Sequence, residues 1–209
     1  MGLSSNNRLI PISKYVVIKK NSINKIAGAA LSLFAGLFGQ FAHAENTQVT
    51  IETNHGSILV ELFDEKAPVT VSNFLNYVDK KHYNGTIFHR VIPRFMIQGG
   101  GFDPQMTKRP TGPTIENESK NRLHNERGTL AMARTDDPHS ASDQFYINVR
   151  MNISLDYRMG EFGYAVFGKV LEGMDVVDTI SVQKTGQRAG YQDVPQEDIV
   201  ITSISRVEQ

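Results

Sequence analysis

Val49 to Thr53 and Ser57 to Phe63 alternate or run apolar with β-branched side chains, and Asn54-His55-Gly56 between them has turn chemistry. The chain after residue 45 is therefore expected to open with a β-hairpin. Pro68 suits a first helical turn, and Val71, Phe74, Leu75 and Val78 follow at i, i+3, i+4 and i+7, which predicts a helix reaching about Lys81. Tyr83-Asn84-Gly85-Thr86 reads as a turn into two strand-like runs, Ile87 to Val91 and Phe95 to Gln98, broken by Pro93. From Gly101 to Arg127 the residues are mostly polar, with prolines at 104, 110 and 113, so a long surface loop is expected. Strand-like runs resume at Thr129 to Ala133, Gln144 to Val149 and Tyr164 to Val170. A short helix is predicted over Met174 to Ile180, then a loop, then a strand over Ile199 to Val207. Many strands and two helices suggest a closed or nearly closed antiparallel barrel, since closure removes exposed edges.

Composition adds a compartment. The first 44 residues carry Arg8, Lys14, Lys19, Lys20 and Lys25 and no acid, followed by an apolar run from Ile26 to Phe38 and then Ala42-His43-Ala44. That order of basic, apolar and small-x-small segments is an export signal, with cleavage expected after Ala44. Residues 1–44 are thus the expected leader and 45–209 the mature domain, periplasmic or secreted. The apolar run is 13 residues long, short of the ~20 needed to cross a bilayer as a helix, and a retained interfacial anchor is the alternative reading. Removing five of the 22 basic residues leaves 17 against 22 acidic, a net charge of −5, which argues against a general nucleic-acid binder. The chain has no cysteine, which excludes thiol nucleophiles and cysteine zinc sites. His55, His82, His89, His124 and His139 form no ligand spacing, so neither a metal nor a cofactor is expected.

Five segments carry more specific information. Phe88-His89-Arg90-Val91-Ile92-Pro93, Phe95-Met96-Ile97-Gln98-Gly99-Gly100, Gly128-Thr129-Leu130-Ala131-Met132-Ala133, Gln144-Phe145-Tyr146-Ile147-Asn148 and Val166-Phe167-Gly168-Lys169-Val170 occur in this order. In these blocks the chain after Glu45 resembles the cyclophilins, in particular their exported bacterial branch. The resemblance implies a closed eight-stranded antiparallel barrel capped by two α-helices, with peptide bound in a groove on the outer face. It implies a peptidyl-prolyl cis-trans isomerase acting on X-Pro bonds of exported or unfolded proteins, expected as a monomer.

By the same resemblance Arg90 is the catalytic guanidinium and Gln98 the neighbour that orients it and the substrate backbone. Phe95, Met96, Tyr146 and Leu155 match the proline pocket, Ala133 and Arg134 the strip that receives the peptide backbone, and Tyr164 a position able to offer a hydroxyl. His89 reads as a packed, hydrogen-bonded structural residue rather than a base. Phe145 is expected to face inward, because neighbours in a strand point to opposite sides.

Several positions depart from the family pattern. Ser154 stands where an aromatic, often tryptophan, precedes the Leu155-Asp156 pair, and the chain has no tryptophan at all. In the family that indole contacts cyclosporin, so weak cyclosporin binding is expected. Tyr146 replaces the usual phenylalanine and brings a hydroxyl that needs a partner if buried. Arg94 replaces the usual glycine, either biasing the site toward acidic peptides or standing solvated.

Other signals are weaker. Gly163 to Lys169 approaches a P-loop, but Val170 lacks the hydroxyl that magnesium requires. Gly99-Gly100-Gly101 fails as a dinucleotide fingerprint at Pro104. Asp136-Asp137-Pro138-His139-Ser140 holds the residue types of a hydrolase triad too close together to converge. Two rivals to the enzyme remain: a binding module or chaperone that holds proline-containing segments without turning them over, and a small-molecule barrel, which needs an empty interior.

Overall fold

A computed structural model describes residues 46–208, so the expected leader 1–44 and its cleavage site lie outside the described residues. The opening hairpin forms as predicted. Strand β1 (Gln48–Thr53) and β2 (Gly56–Leu62) pair in register from Gln48 opposite Glu61 to Thr53 opposite Gly56. Helix α1 (Pro68–Asp79) buries Val71, Phe74, Leu75 and Val78 along one face. Ala67, before its first turn, offers no side-chain cap. The Glu118 carboxylate accepts instead from the backbone N–H groups of Val69 and Thr70, at 3.1 and 2.7 Å. An acid from the long polar loop thus satisfies two donors that the helix cannot satisfy itself.

Seven further strands complete the main sheet: β3 (Thr86–Ile87), β4 (Arg90–Ile92), β5 (Met96–Gly99), β6 (Thr129–Met132), β7 (Phe145–Asn148), β8 (Val166–Glu172) and β11 (Val200–Arg206). Their order is β3-β11-β1-β2-β8-β6-β7-β5-β4, with antiparallel pairing throughout. This corrects the expected closed eight-stranded barrel: the sheet has nine strands, curls, and stays open. The apolar run Ile87 to Val91, expected as one strand, is two. Thr86–Ile87 pairs with β11 at one edge, and Arg90–Ile92 pairs with β5 at the other. Phe88 and His89 cross between the edges, with the Phe88 N–H donating to the Ile199 carbonyl at 2.9 Å, so no ladder joins β3 to β4.

Helix α2 (Met174–Ser181) buries Val177 and Ile180. The segment expected as a loop before the last strand contains a second sheet, β9 (Thr185–Arg188) with β10 (Tyr191–Pro195). Ala189 and Gly190 between them both have positive φ, 52° and 85°, the conformation of a two-residue hairpin turn. Ala-Gly lacks the Asn-Gly or Asp-Gly signature of that turn, and the flanking runs are too polar to alternate.

Inside the curl, Phe74, Tyr83, Phe88, Phe145 and Phe167 are fully buried. Phe145 meets Phe74 and Tyr83 edge to face, with centroids 5.5 Å apart in both pairs. An interior filled by its own rings leaves no room for a small-molecule barrel's ligand. Phe145 faces this core and Tyr146 the outer apolar cluster, as strand alternation requires. Lys169, of the P-loop-like stretch, lies in β8 and pairs with Glu61 at 3.1 Å. Among the described residues no helix is long and apolar enough to cross a membrane.

Candidate active site

Register places the first functional row. Across β4, β5, β7 and β6, Arg90 stands opposite Gln98, Gln98 opposite Tyr146, and Tyr146 opposite Ala131. Residues so aligned share one face of the sheet, here the outer one. Met96 lies two residues before Gln98 and shares that face, while Ile97 between them packs into the core. Met96, Ala131 and Tyr146 are at most 3% exposed and form an apolar floor.

Above this floor opens a groove of about 450 Å³. All nine residues singled out in the sequence line it: Arg90, Phe95, Met96, Gln98, Ala133, Arg134, Tyr146, Leu155 and Tyr164. Six others complete it: His89, Phe102, Lys108, Gln144, Tyr191 and Gln192. Arg94 and Ser154 do not. Arg94 occupies the third position of the turn Ile92-Pro93-Arg94-Phe95, closed by the Phe95 N–H donating to the Ile92 carbonyl at 3.1 Å, with φ 59°. Proline second and positive φ third define a type II turn, which explains why glycine suits this position. Its side chain is exposed.

The polar contacts define how the lining is held. Gln98 donates from its amide to the Gln144 side-chain oxygen at 3.0 Å. A Cβ on Gly101 would lie 2.5 Å from Gln144 Cγ and Nε2, so a side chain there would displace Gln144 from its place beside Gln98. The ion-pair partner of Arg90 is Asp193 on β10, with Oδ2 3.7 Å from Nε. Arg134 ties its own loop to the segment that precedes β8. It donates to the carbonyls of Gly163 at 3.3 Å, Thr135 at 2.8 Å and Phe162 at 2.9 Å, and its guanidinium lies 4.6 Å from the Tyr164 ring centroid. That stacking fixes Tyr164 against Tyr146, with centroids 5.9 Å apart.

The Tyr146 hydroxyl finds the partner its burial demands: it donates to Asn125 Oδ1 at 2.7 Å. Burial pushes this phenol well above its ordinary range, as do the nearby Tyr164 and Asp156. Asn125 is fully buried and in turn donates from its backbone N–H and its amide to Asp156 Oδ1, at 2.7 and 3.0 Å. Burial alone would raise the Asp156 carboxyl. The hydrogen bonds from Asn125 and from His124 outweigh it and hold the group below the usual range. Asn152 ties in the turn between β4 and β5, donating to the Phe95 carbonyl at 3.0 Å and to Asn148 Oδ1 at 2.7 Å. Asn125, Asn152 and Asp156 position Tyr146, Phe95 and Leu155 without lining the groove. The first two escape sequence reading because a lone asparagine in a polar loop looks solvated.

His89 is packed as expected, 4.6 Å from the Phe102 ring, but among the described residues its Nδ1 has no hydrogen-bond partner. Burial lowers its pKa to about 4, against smaller opposing contributions from the Ile87 carbonyl and Asp143. At neutral pH it is an uncharged packing residue. Ser140 Oγ donates to the Asp137 carbonyl at 2.7 Å, and His139 Nδ1 accepts from the Asn117 N–H at 3.2 Å, so these residues do not assemble a triad.

A guanidinium at the rim of a small apolar pocket, on the outer face of a curled β-sheet, defines a groove for a peptide segment. A family model, cyclophilin type peptidyl-prolyl cis-trans isomerase/CLD, matches residues 48–206. Peptidyl-prolyl cis-trans isomerase B of Escherichia coli (strain K12) is 55% identical over 161 residues, covering 75% of this chain and 98% of its own. Peptidyl-prolyl cis-trans isomerase A of Dickeya dadantii (strain 3937) is 52% identical over 163 residues, covering 78% and 86%. Among solved structures, a Cryptosporidium parvum cyclophilin type peptidyl-prolyl cis-trans isomerase superposes with TM-score 0.69 at 29% identity, covering 78% of this chain and 99% of its own. The same protein crystallised in the presence of the dipeptide Ala-Pro gives 0.67. The chain belongs to the cyclophilin family of peptidyl-prolyl cis-trans isomerases.

The His89 environment carries a pH signature. Its folded pKa of about 4 lies below the unfolded value of 6.5, so the unfolded chain binds the extra proton between those values. The stability tied to neutral His89 is complete above pH 6.5 and is lost as pH falls toward 4, by about 3 kcal/mol at most. Urea denaturation at pH 7 and at pH 4.5 measures the loss, and His89→Gln is expected to remove most of it.

Proposed function

We propose that Arg90 is the residue through which this isomerase lowers the barrier to X-Pro rotation, acting on exported or unfolded proteins outside the cytoplasm. The observation that carries the reading is the register row: Arg90 stands beside Gln98 and Tyr146 at the edge of the floor formed by Met96, Ala131 and Tyr146. The Cryptosporidium parvum structure obtained in the presence of Ala-Pro supports a proline-containing ligand for such a groove.

Rotation about the X-Pro bond is opposed by amide resonance, with a barrier of about 18–20 kcal/mol. No bond breaks, so neither a nucleophile nor a proton relay is needed. The apolar pocket of Phe95, Met96, Tyr146 and Leu155 holds the proline ring while the preceding acyl group turns. Arg90 offers an N–H to the prolyl nitrogen as that atom becomes pyramidal. The bond from the guanidinium strengthens only in the twisted state, which is the condition for catalysis rather than tight binding. The Gln98 oxygen is left to accept from the guanidinium or the peptide, its amide being held by Gln144.

The site of action is the extracytoplasmic space, reached through cleavage of residues 1–44. Ser154, exposed and outside the groove, supplies no aromatic wall for a macrocycle, so cyclosporin binds weakly.

Three measurements test this reading. NMR exchange spectroscopy of a short Ala-Pro peptide should show catalysed interconversion with the wild type and a loss of about a hundredfold or more with Arg90→Ala, roughly 2.7 kcal/mol. Equal rates would remove Arg90 from the mechanism, and binding without exchange by the wild type would make the groove a holding site. Mass spectrometry of the exported protein is expected to find Glu45 at the N-terminus; an intact Met1 would overturn the leader. Ser154→Trp is expected to tighten cyclosporin binding by about tenfold, an added aromatic contact of about 1.4 kcal/mol. No change in a calorimetric titration would place the weakness elsewhere.

A further inference from the structure

The groove wall formed by β10 bears a carboxylate on an irregular stretch of backbone. Asp193 has φ 61° and sits where the β9–β10 register shifts, between Tyr191 and Val194. Such irregularities re-aim a side chain, and Asp is among the few residues that tolerate the left-handed region. The support on either side is fixed. Val194 is 1% exposed in a cluster with Ile87, Phe102 and Met106, and Arg188 Nη2 donates to Asp198 Oδ1 at 2.6 Å.

Arg90, by contrast, begins a three-residue edge strand, and its side chain makes no hydrogen bond among the described residues. Gln98, directly across the ladder, gives its amide to Gln144. What faces the guanidinium is Asp193 Oδ2, 3.7 Å from Nε, with side chains 45% and 41% exposed. A pair so exposed adds little to folding stability. Its effect falls on where the guanidinium spends its time.

We propose that Asp193 is a positioning residue for Arg90: by attracting the Nε end of the guanidinium it restricts the side chain and leaves the terminal nitrogens for the peptide. The inference rests on the reading that Arg90 carries catalysis. A guanidinium already in place loses less freedom when the twisted peptide forms, so the benefit appears in turnover rather than in affinity. Contact beyond hydrogen-bond distance also lets Arg90 shift toward the peptide without breaking a formed bond.

Asp193→Asn is the test, since asparagine accepts the same backbone conformation and nearly the same volume. NMR line shapes of an uncharged, end-blocked Ala-Pro peptide separate on-enzyme interconversion from peptide affinity. The variant is expected to interconvert the bound peptide about threefold to tenfold more slowly, with Kd within about twofold and an unchanged thermal midpoint. Raising the ionic strength to about 1 M, where screening reaches ~3 Å, should slow the wild type toward the variant and leave the variant as it was. A variant as fast as the wild type would overturn the inference. So would a faster one that binds peptide more tightly, which would make the carboxylate a competitor. Arg90→Ala, measured beside it, separates the two levels. If it is slow while Asp193→Asn is unaffected, only Asp193 loses its role; if it matches the wild type, the role of Arg90 fails first.

Discussion

A β-strand sends successive side chains to opposite faces, and the site depends on this pleat more than on any single contact. Strands β5, β6 and β7 supply both the core and the groove floor. Ile97, Leu130, Met132, Phe145 and Ile147 face the interior, while Met96, Gln98, Ala131 and Tyr146 face outward. A slip of one residue in any of these pairings would exchange the two sets, placing an amide in the aromatic core and an isoleucine or phenylalanine in the groove. The ring cluster around Phe145 therefore fixes the groove face through the backbone, although no residue of that cluster lines the groove. Arg90 benefits least from this arrangement, because β4 is an edge strand paired on one side only.

The same logic explains why the long polar stretch before β6 is ordered. Asn117, Ser119 and Asn125 are buried, and their bonds run to distant segments: Asn117 to the carbonyls of Pro138 and Gly163, Asn125 to Asp156 and Tyr146. Asn121 reaches the Val166 carbonyl, and Glu118 caps α1. An amide buried without partners costs about 1–3 kcal/mol, so each of these residues holds the loop in one place only if every bond is made. The hydroxyl that distinguishes Tyr146 from phenylalanine is accommodated because it completes this network.

The groove was legible in the sequence because its residues fall inside short motifs, where the spacing carries the strand alternation with it. The main hairpin, α1 and α2 were legible from periodicity. What could not be read were relations across the chain. Ile87 to Val91 looks like one strand, because nothing local marks that its halves pair with opposite edges of the sheet. Ala189-Gly190 turns a hairpin without the usual turn residues, so Tyr191, Gln192 and Asp193 gave no sign of reaching the site. Asn125 and Asp193 are polar residues in polar surroundings, and only burial and register single them out.

The exposure pattern of the groove bears on how catalysis is divided. An acceleration of ten thousandfold requires about 5.5 kcal/mol, and one charge-assisted hydrogen bond supplies roughly 1.5–3. The floor is already dry, with Met96 2% and Tyr146 3% exposed, whereas the Arg90 side chain is 45% exposed. Water therefore screens the guanidinium until a peptide covers it. On the role proposed for Arg90, a proline ring filling the pocket removes that water itself, and the field of the guanidinium on the prolyl nitrogen strengthens as the local dielectric falls. The remaining energy need not reside in further catalytic groups. Under the same proposal it comes from a bound state in which a fixed charge and a twisted amide meet with little solvent between them, which favours a guanidinium held in place beforehand.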